Sequence, residues 1–427
     1  MKLGTHGYSP SALNKIVQAA GEVKSHQVAA RVLGVVGEIA ISGRHVNRLT
    51  EEIGTELAAN RDRQTEDYVH HRRDKPRVAA PPRVAIALDG GRLMTRASGQ
   101  GPGVHGEQWK EDKVACLLTL EGQTCADDPH PQPPRCFLDA PAVDQLVREI
   151  QANHGRREEN ELPQLAELSL GKEKLTLPTT AEAASPPVAA NEKVWPPQRL
   201  EKARTCVATM GDCNEFGKMV AAEAYRRNFQ AAAYAALLGD GSAWIWNLHA
   251  KWFRDLTPIV DFVHALTYLY VTATVLASSV SERWQWYVAW MTLLWQGQVA
   301  EVIKDLEKRR QRLPPVPNEG NLPPTDPREV LRRTLTYLKH NETRMNYPDY
   351  RKQGLPVSSS MVESLIKEIN YRVKGTEKFW DHPEGAEAIL QVRAALLSDD
   401  HRLADHMASR PGSPFRRYTS TELAQAA

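Results

Sequence analysis

Two short apolar runs, each ending on Asp-Gly, limit what this chain can fold into. Val84-Ala85-Ile86-Ala87-Leu88 stops at Asp89-Gly90-Gly91, and Ala233-Tyr234-Ala235-Ala236-Leu237-Leu238 stops at Gly239-Asp240-Gly241. Short, continuous apolar runs bounded by turn formers read as strands covered on both faces. Lys113-Val114-Ala115-Cys116-Leu117-Leu118 and Arg204-Thr205-Cys206-Val207-Ala208-Thr209-Met210 are further strand candidates. Between the last of these and the second Asp-Gly run, Phe216, Met219, Val220 and Ala224 mark one face of a helix. Strands interleaved with helices predict an α/β fold.

Composition narrows the class. The 427 residues are 41% hydrophobic and 25% charged, the balance of a globular chain and not of a disordered one. Against 52 acidic residues stand 54 basic ones, a net charge of +2, so attraction to nucleic acid has to come from local patches. No run is long and apolar enough to span a membrane, and Met1-Lys2-Leu3-Gly4 lacks the apolar core of a signal peptide; a cytoplasmic protein is expected. Five cysteines (Cys116, Cys125, Cys136, Cys206, Cys213) form no CxxC pair, which argues for reduced, mostly buried thiols and against a zinc ribbon.

Along the chain, residues 1–65 read as a helical region. Val28, Ala29, Val32 and Leu33 form one stripe and Val46, Leu49, Ile53 and Leu57 another, parted by Ile41-Ser42-Gly43. This pattern fits a helix-turn-helix whose second helix offers Arg44, Asn47 and Arg48 to DNA, and equally a plain helical pair with a solvated face. The chain then becomes basic and Pro-rich, so residues 66–82 are expected to form an extended linker. Residues 83–262 carry the strands, with a loop insertion at about 151–198; 263–350 are helical; 351–400 hold further helices; 401–427 read as a flexible tail. In the helical stretch Trp284, Val288, Met291, Trp295, Val299, Val302 and Leu306 predict one long amphipathic helix, with Trp286 and Trp290, off that stripe, as candidates to touch DNA.

An Asp placed where a buried strand meets solvent has its backbone fixed while its carboxylate faces a groove, as a hard-cation site requires. Asp-Gly also opens many tight turns, and either Asp alone is compatible with that. A third carboxylate is available on the helix opened by Ser358 to Glu363, whose apolar stripe is Val362, Leu365, Ile366, Ile369 and Val373. Glu363, Lys367, Asn370 and Lys374 share its opposite ridge. Ser360 and Glu363 also fit a capping box, with Glu363 serving only the helix end. Taken with Asp89 and Asp240, however, Glu363 can complete a two-metal site, with Lys367 or Lys374 near phosphate.

Six segments in order, LDGGRLMTR, GEQWKEDKVACL, RTCVATM, LLGDGSAWIWNL, PIVDFVHALTYL and GLPVSSSMVESLIKEINYRVKGTEKFW, resemble the transposases of bacterial insertion sequences of the Kra type, relatives of the Mutator-like DDE group. The resemblance runs from about residue 20 to 400. It implies an RNase H-like core with a helical insertion between the second Asp and the Glu. It further implies that Asp89, Asp240 and Glu363 are the catalytic, metal-binding carboxylates for two Mg²⁺ ions, replaceable by Mn²⁺. Asp261 and His264 match a supporting motif near the site. They also read, from the residues, as a helix cap followed by a hydrogen-bonded histidine.

The implied activity is end cleavage and strand transfer on DNA, with terminal inverted repeats and target DNA as partners. Lys367, Asn370, Arg372 and Lys374 would stand near the strand, and a homodimer or higher oligomer would form on the DNA. Two other readings share the fold: an inactive, transposase-derived DNA-binding protein, and a host nuclease, for which the helical insertion would be superfluous. Where the family's members often begin with a longer segment, at times cysteine-rich, this chain has the short lead Met1 to Pro10.

Overall fold

The computed structural model describes residues 7–76, 78–95, 108–154, 198–314, 322–358, 360–373, 380 and 383–410. Three helices come first, and each begins the same way. Ser9, Ser25 and Ser42 accept the backbone N–H of Ala12, Val28 and His45, each at 3.2 Å, and so start α1 (Pro10–Glu22), α2 (His26–Val36) and α3 (Gly43–Val69). The link between α2 and α3 covers residues 37–42, longer than the three or four residues usual in a helix-turn-helix. The expected linker at 66–82 is partly helical, because no Pro or Gly interrupts the chain between Gly54 and Pro76 and α3 therefore runs on to Val69.

The helical region is also not a separate body. Leu13, Ile16, Val17, Leu49 and Ile53 are buried in one apolar cluster with Ala386, Ile389 and Leu390 from near the chain's end. A Cβ on Gly54 would lie 2.2 Å from the carbonyl oxygen of Ala388. Gly54→Ala is accordingly expected to lower the melting temperature. Its gain in helix propensity, about 1 kcal/mol, is outweighed by a backbone collision costing about 1–3 kcal/mol or more. A variant that melts at or above the wild type would show that α3 and its neighbour can move apart without loss.

The middle of the chain builds one sheet from β1 (Arg83–Thr95), β2 (Gln108–Glu121), β3 (Gln198–Thr209), β4 (Tyr234–Gly239) and β5 (Thr257–Val260), in the order β3-β2-β1-β4-β5. The first three strands are antiparallel neighbours, whereas β4 runs parallel to β1 and β5 parallel to β4. Strand alternation then sorts the side chains. Val84, Ile86, Leu88 and Leu237 pack against Phe216 and Val220 of α5 (Cys213–Arg226) and Ile245 and Leu248 of α6 (Ala243–Trp252). Ala85, Ala87, Ala236 and Leu238 face the other cluster, the one shared with α1–α3. Before β3, α4 (Ala140–His154) occupies the start of the expected loop; residues 155–197 lie outside the described residues.

After β5 come α7 (Phe262–Leu276), α8 (Val280–Trp295), α9 (Val299–Arg310), α10 (Pro327–Asn341), α11 (Tyr347–Lys352), α12 (Ser360–Val373), α13 (Pro383–Leu396) and α14 (Arg402–Ser409). The single long helix expected from the Trp284–Leu306 stripe is two helices. Gly297 adopts φ +72° between α8 and α9, a conformation open to glycine at little cost. The apolar face nevertheless continues: Trp295, Val299, Val302 and Leu306 are all buried. Likewise, part of the expected tail is structured, since α14 buries Leu403 and Met407; residues 411–427 lie outside the described residues.

An ionic square ties α14 to α5. Arg226 and Arg402 each bond both Glu223 and Asp400, at 2.7 to 2.8 Å, and Glu223 is nearly fully buried. Two of the five cysteines, Cys116 and Cys206, are buried as cross-strand partners, while Cys136 is exposed. Burial pushes the Cys206 thiol up to about 12, so it is inert at neutral pH.

Candidate functional site

Asp89 does not end a strand, as its Asp-Gly context suggested. β1 continues for six residues beyond it, paired with β2 as far as Thr95 and Gln108. What stops is the neighbour on the other side. The parallel ladder between β1 and β4 closes at Ala87 and Leu238, and two residues further along stand Asp89 and Asp240. Continuing that register sets the two side by side, with adjacent strands about 4.8 Å apart. Both fall on the face of Ala87 and Leu238, beneath the apolar cluster that includes Leu365, Ile369 and Val373 of α12. α12 packs on β1 and β2. Both aspartates are half-buried, and each has one carboxylate oxygen held by a backbone amide: Gly90 donates to Asp89 at 2.7 Å and Ser242 to Asp240 at 2.9 Å.

The turn after Asp240 is gripped from the helical segment. Gly241 has φ +101°, and a Cβ there would lie 2.4 Å from the Tyr337 ring. The Tyr337 hydroxyl donates to the Asp240 carbonyl at 3.0 Å, and burial, reinforced by the charges of Asp240 and Asp261, pushes its pKa well up. Tyr268 stacks on Tyr337 at 3.8 Å. Beside them, the Trp246 indole N–H reaches both the Gly241 carbonyl (3.2 Å) and Asn341 Oδ1 (2.9 Å).

Asp261 joins this group from β5. Its N–H donates to the Gly239 carbonyl at 2.9 Å, placing it next to Asp240, and its carboxylate caps α7 by accepting the Val263 N–H at 2.7 Å. His264 is buried one turn later, edge-on to Tyr268. The helix-cap reading of Asp261 is therefore realised, in a position that also adjoins the candidate carboxylates.

The third carboxylate is placed only by its backbone. Glu363 lies in the first turn of α12, and its side chain lies outside the described residues, as does that of Asn370; Lys374 lies outside them entirely. Among the described residues no set of three or more His, Cys, Asp or Glu is spaced to hold a metal ion. Lys367 is exposed and pairs with Glu149 of α4 at 3.3 Å. Arg372 must be reassigned. It is 2% exposed, its guanidinium bonding the Ala20 carbonyl at 2.6 Å and His26 at 2.7 Å, so it anchors α12 to α1 and α2 and does not face DNA.

On α3, Arg44 and Arg48 are exposed, while Asn47 is spent on Glu51 at 2.9 Å. Trp290 is core: 2% exposed, it donates to Asp305 at 2.8 Å. Trp286 offers no open face on one side, because the Arg309 guanidinium covers it at 3.7 Å.

Sequence reasoning missed Asp112, which lies opposite Gly91 on the same face as Asp89 and is 1% exposed. A Cβ on Gly91 would lie 2.6 Å from its carboxylate, so the second glycine of Asp89-Gly90-Gly91 makes room for an acid. It also missed Trp246, five residues after Gly241, and Tyr337 and Asn341, which reach the site from α10; no local pattern announces the contacts from α10. No protein-family model matches the sequence, and no curated protein matches it.

Proposed function

We propose that this chain is a cytoplasmic DDE-type transposase that cleaves DNA at the ends of an insertion sequence and transfers the strand to target DNA. The observation that carries the reading is that Asp89 and Asp240 each stand two residues beyond the last pair of the parallel β1–β4 ladder, with the helix bearing Glu363 packed on β1. The strand order supports an RNase H-like core: three antiparallel strands followed by two parallel to the first, with helices on both faces. α1–α3, with Arg44 and Arg48 exposed at the start of α3, support an end-binding role for the N-terminal region.

Half-exposed carboxylates on one face, each fixed by a backbone amide, are the hard oxygen donors that Mg²⁺ or Mn²⁺ takes. Asp89, Asp240 and Glu363 would hold two such ions. Bound there, the ions would acidify an attacking water or 3′-hydroxyl and neutralise charge on the leaving oxygen. The chain's own part is placement. Asp89 is locked in the sheet by β2, and Asp240 is locked by Ser242 and by Tyr337 on its carbonyl. A homodimer or larger assembly would bring two transposon ends together.

The test supplies purified protein with Mg²⁺ and DNA carrying the terminal inverted repeats that flank its gene. Nicking at those ends and joining to target DNA are expected, both lost on adding EDTA. Equal products from wild type and Asp89→Ala would sink the catalytic reading. Wild-type binding with no cleavage would leave a DNA-binding protein of the same fold.

A further inference from the structure

Near the turn after Asp240 stands a cation that has no carboxylate partner among the described residues. Arg344 sits in the short turn after α10, with its guanidinium carbon 4.7 Å from the Trp246 ring centroid. Its Nη1 donates to the His340 carbonyl at 2.9 Å and to Asn341 Oδ1 at 3.4 Å, both neutral acceptors. Among the described residues no carboxylate pairs with it, and its Nε and Nη2 donate to none of them; almost every other arginine in the neighbouring helices α9 and α10 that is this well packed has an acid, as Arg309 has Asp305 and Arg333 has Glu329. Burial lowers its pKa, the sign of a charge held partly out of water.

Its neighbours tie this charge to the candidate site. Arg344 stacks on Trp246, the Trp246 indole N–H bonds the Gly241 carbonyl, and Gly241 follows Asp240 directly. Asn341 bonds both Trp246 and Arg344, so the indole, the amide and the guanidinium form one rigid unit against the Asp240 turn. A stacked guanidinium with one edge engaged and the other edge open is preorganised to take two oxygens of a phosphate.

We propose that Arg344, through Nε and Nη2, holds a phosphate of the DNA strand that lies across the Asp240 turn. The proposal rests on the transposase reading and assigns that site a strand-positioning residue outside its carboxylates. Trp246 fixes the plane of the fork and Asn341 its edge.

The test is binding of a short fluorescein-labelled duplex with a single-stranded 3′ extension, followed by anisotropy across a salt series with Ca²⁺ in place of Mg²⁺. Arg344→Ala is expected to weaken binding about 10- to 100-fold, as loss of a charge-assisted hydrogen bond does, and to flatten the slope of log affinity against log salt by about one. Arg344→Lys keeps the charge and loses the fork. It should bind less tightly than wild type with a near wild-type slope. A purely structural arginine would lower the melting temperature and leave the slope unmoved.

Arg344→Ala that binds with wild-type affinity and slope overturns the proposal. If that variant does not fold, Arg344→Lys decides, and wild-type affinity in it overturns the proposal as well. Wild-type protein that shows no salt-dependent binding at all sinks the transposase reading and this proposal together. Intact wild-type cleavage with an indifferent Arg344→Ala sinks this proposal alone.

Discussion

Asp89→Asn and Asp240→Asn are each expected to slow end cleavage by about a thousandfold or more while leaving the fold and DNA binding in place. Each change keeps the shape and the backbone amide contact, Gly90 to residue 89 and Ser242 to residue 240, and removes one negative charge. The stabilisation a carboxylate-held cation gives to a phosphoryl-transfer transition state is several kcal/mol, and about 1.4 kcal/mol corresponds to tenfold in rate. The two aspartates each stand two residues beyond the last pair of one ladder and would act on the same ions. The double variant should therefore be little slower than either single one, since residues acting as a unit are not additive. Single-turnover cleavage of an end-bearing duplex measures this. Rates within a few-fold of wild type in either variant, or strictly multiplicative losses in the double one, would remove that aspartate from the site.

Glu223→Ala is expected to cost about 3–5 kcal/mol, the range for breaking a buried ion pair. That is a large share of the roughly 5–15 kcal/mol by which folded proteins are stable. The reason is local. Arg226 and Arg402 share Glu223 and Asp400, so the alanine variant leaves two arginines to one acid in a largely desolvated corner. The pH dependence follows from the direction of the shift. Although burial alone would raise it, the adjoining arginines hold the Glu223 carboxyl far below its ordinary 4.5, and Asp400 is likewise lowered from 3.8.

A lowered folded-state pKa means that the stabilisation is complete above the ordinary value and is lost as pH falls toward the folded one. Wild-type melting temperature should thus decline on acidification below about 4.5, and Glu223→Ala, already lower at neutral pH, should decline less steeply over that window. Parallel melts of the two proteins from neutral pH downward test both statements. Equal melting temperatures at neutral pH would show that the square contributes nothing net.

The placement of the two Asp-Gly acids beside strands was legible because its signals are local. An apolar run followed by Asp-Gly marks an acid next to a buried strand; Asp240 directly follows the last residue of β4, whereas Asp89 lies within β1, two residues past its last pair with β4. Ser before a run of helix formers caps a helix without tertiary help, hence α1, α2 and α3 begin where they do. Burial of long polar side chains was not legible. Arg372 sits on the same helix as Lys367 and reads like it in sequence, yet one is enclosed by Ala20 and His26 and the other is in water. Trp290 is fully enclosed and Trp286 is half-buried under Arg309, because which face of α8 is covered depends on where α9 returns after Gly297.

The sequence by itself determined an alternation of strands and helices, the two Asp-Gly positions, and a helix start near Glu363. These depend on periodicity and on residues within one turn or strand of each other. Tertiary structure alone decided that β1 runs past Asp89 while β4 stops at Gly239, so that both aspartates stand two residues beyond the last pair of their shared ladder. It also decided that Tyr337, Trp246 and Asn341 close on the turn after Asp240, and that Arg344 stands there with no acid paired to it among the described residues. Register, strand order and the return of a distant helix are set by the packing of the whole apolar cluster. No short window of residues contains that information.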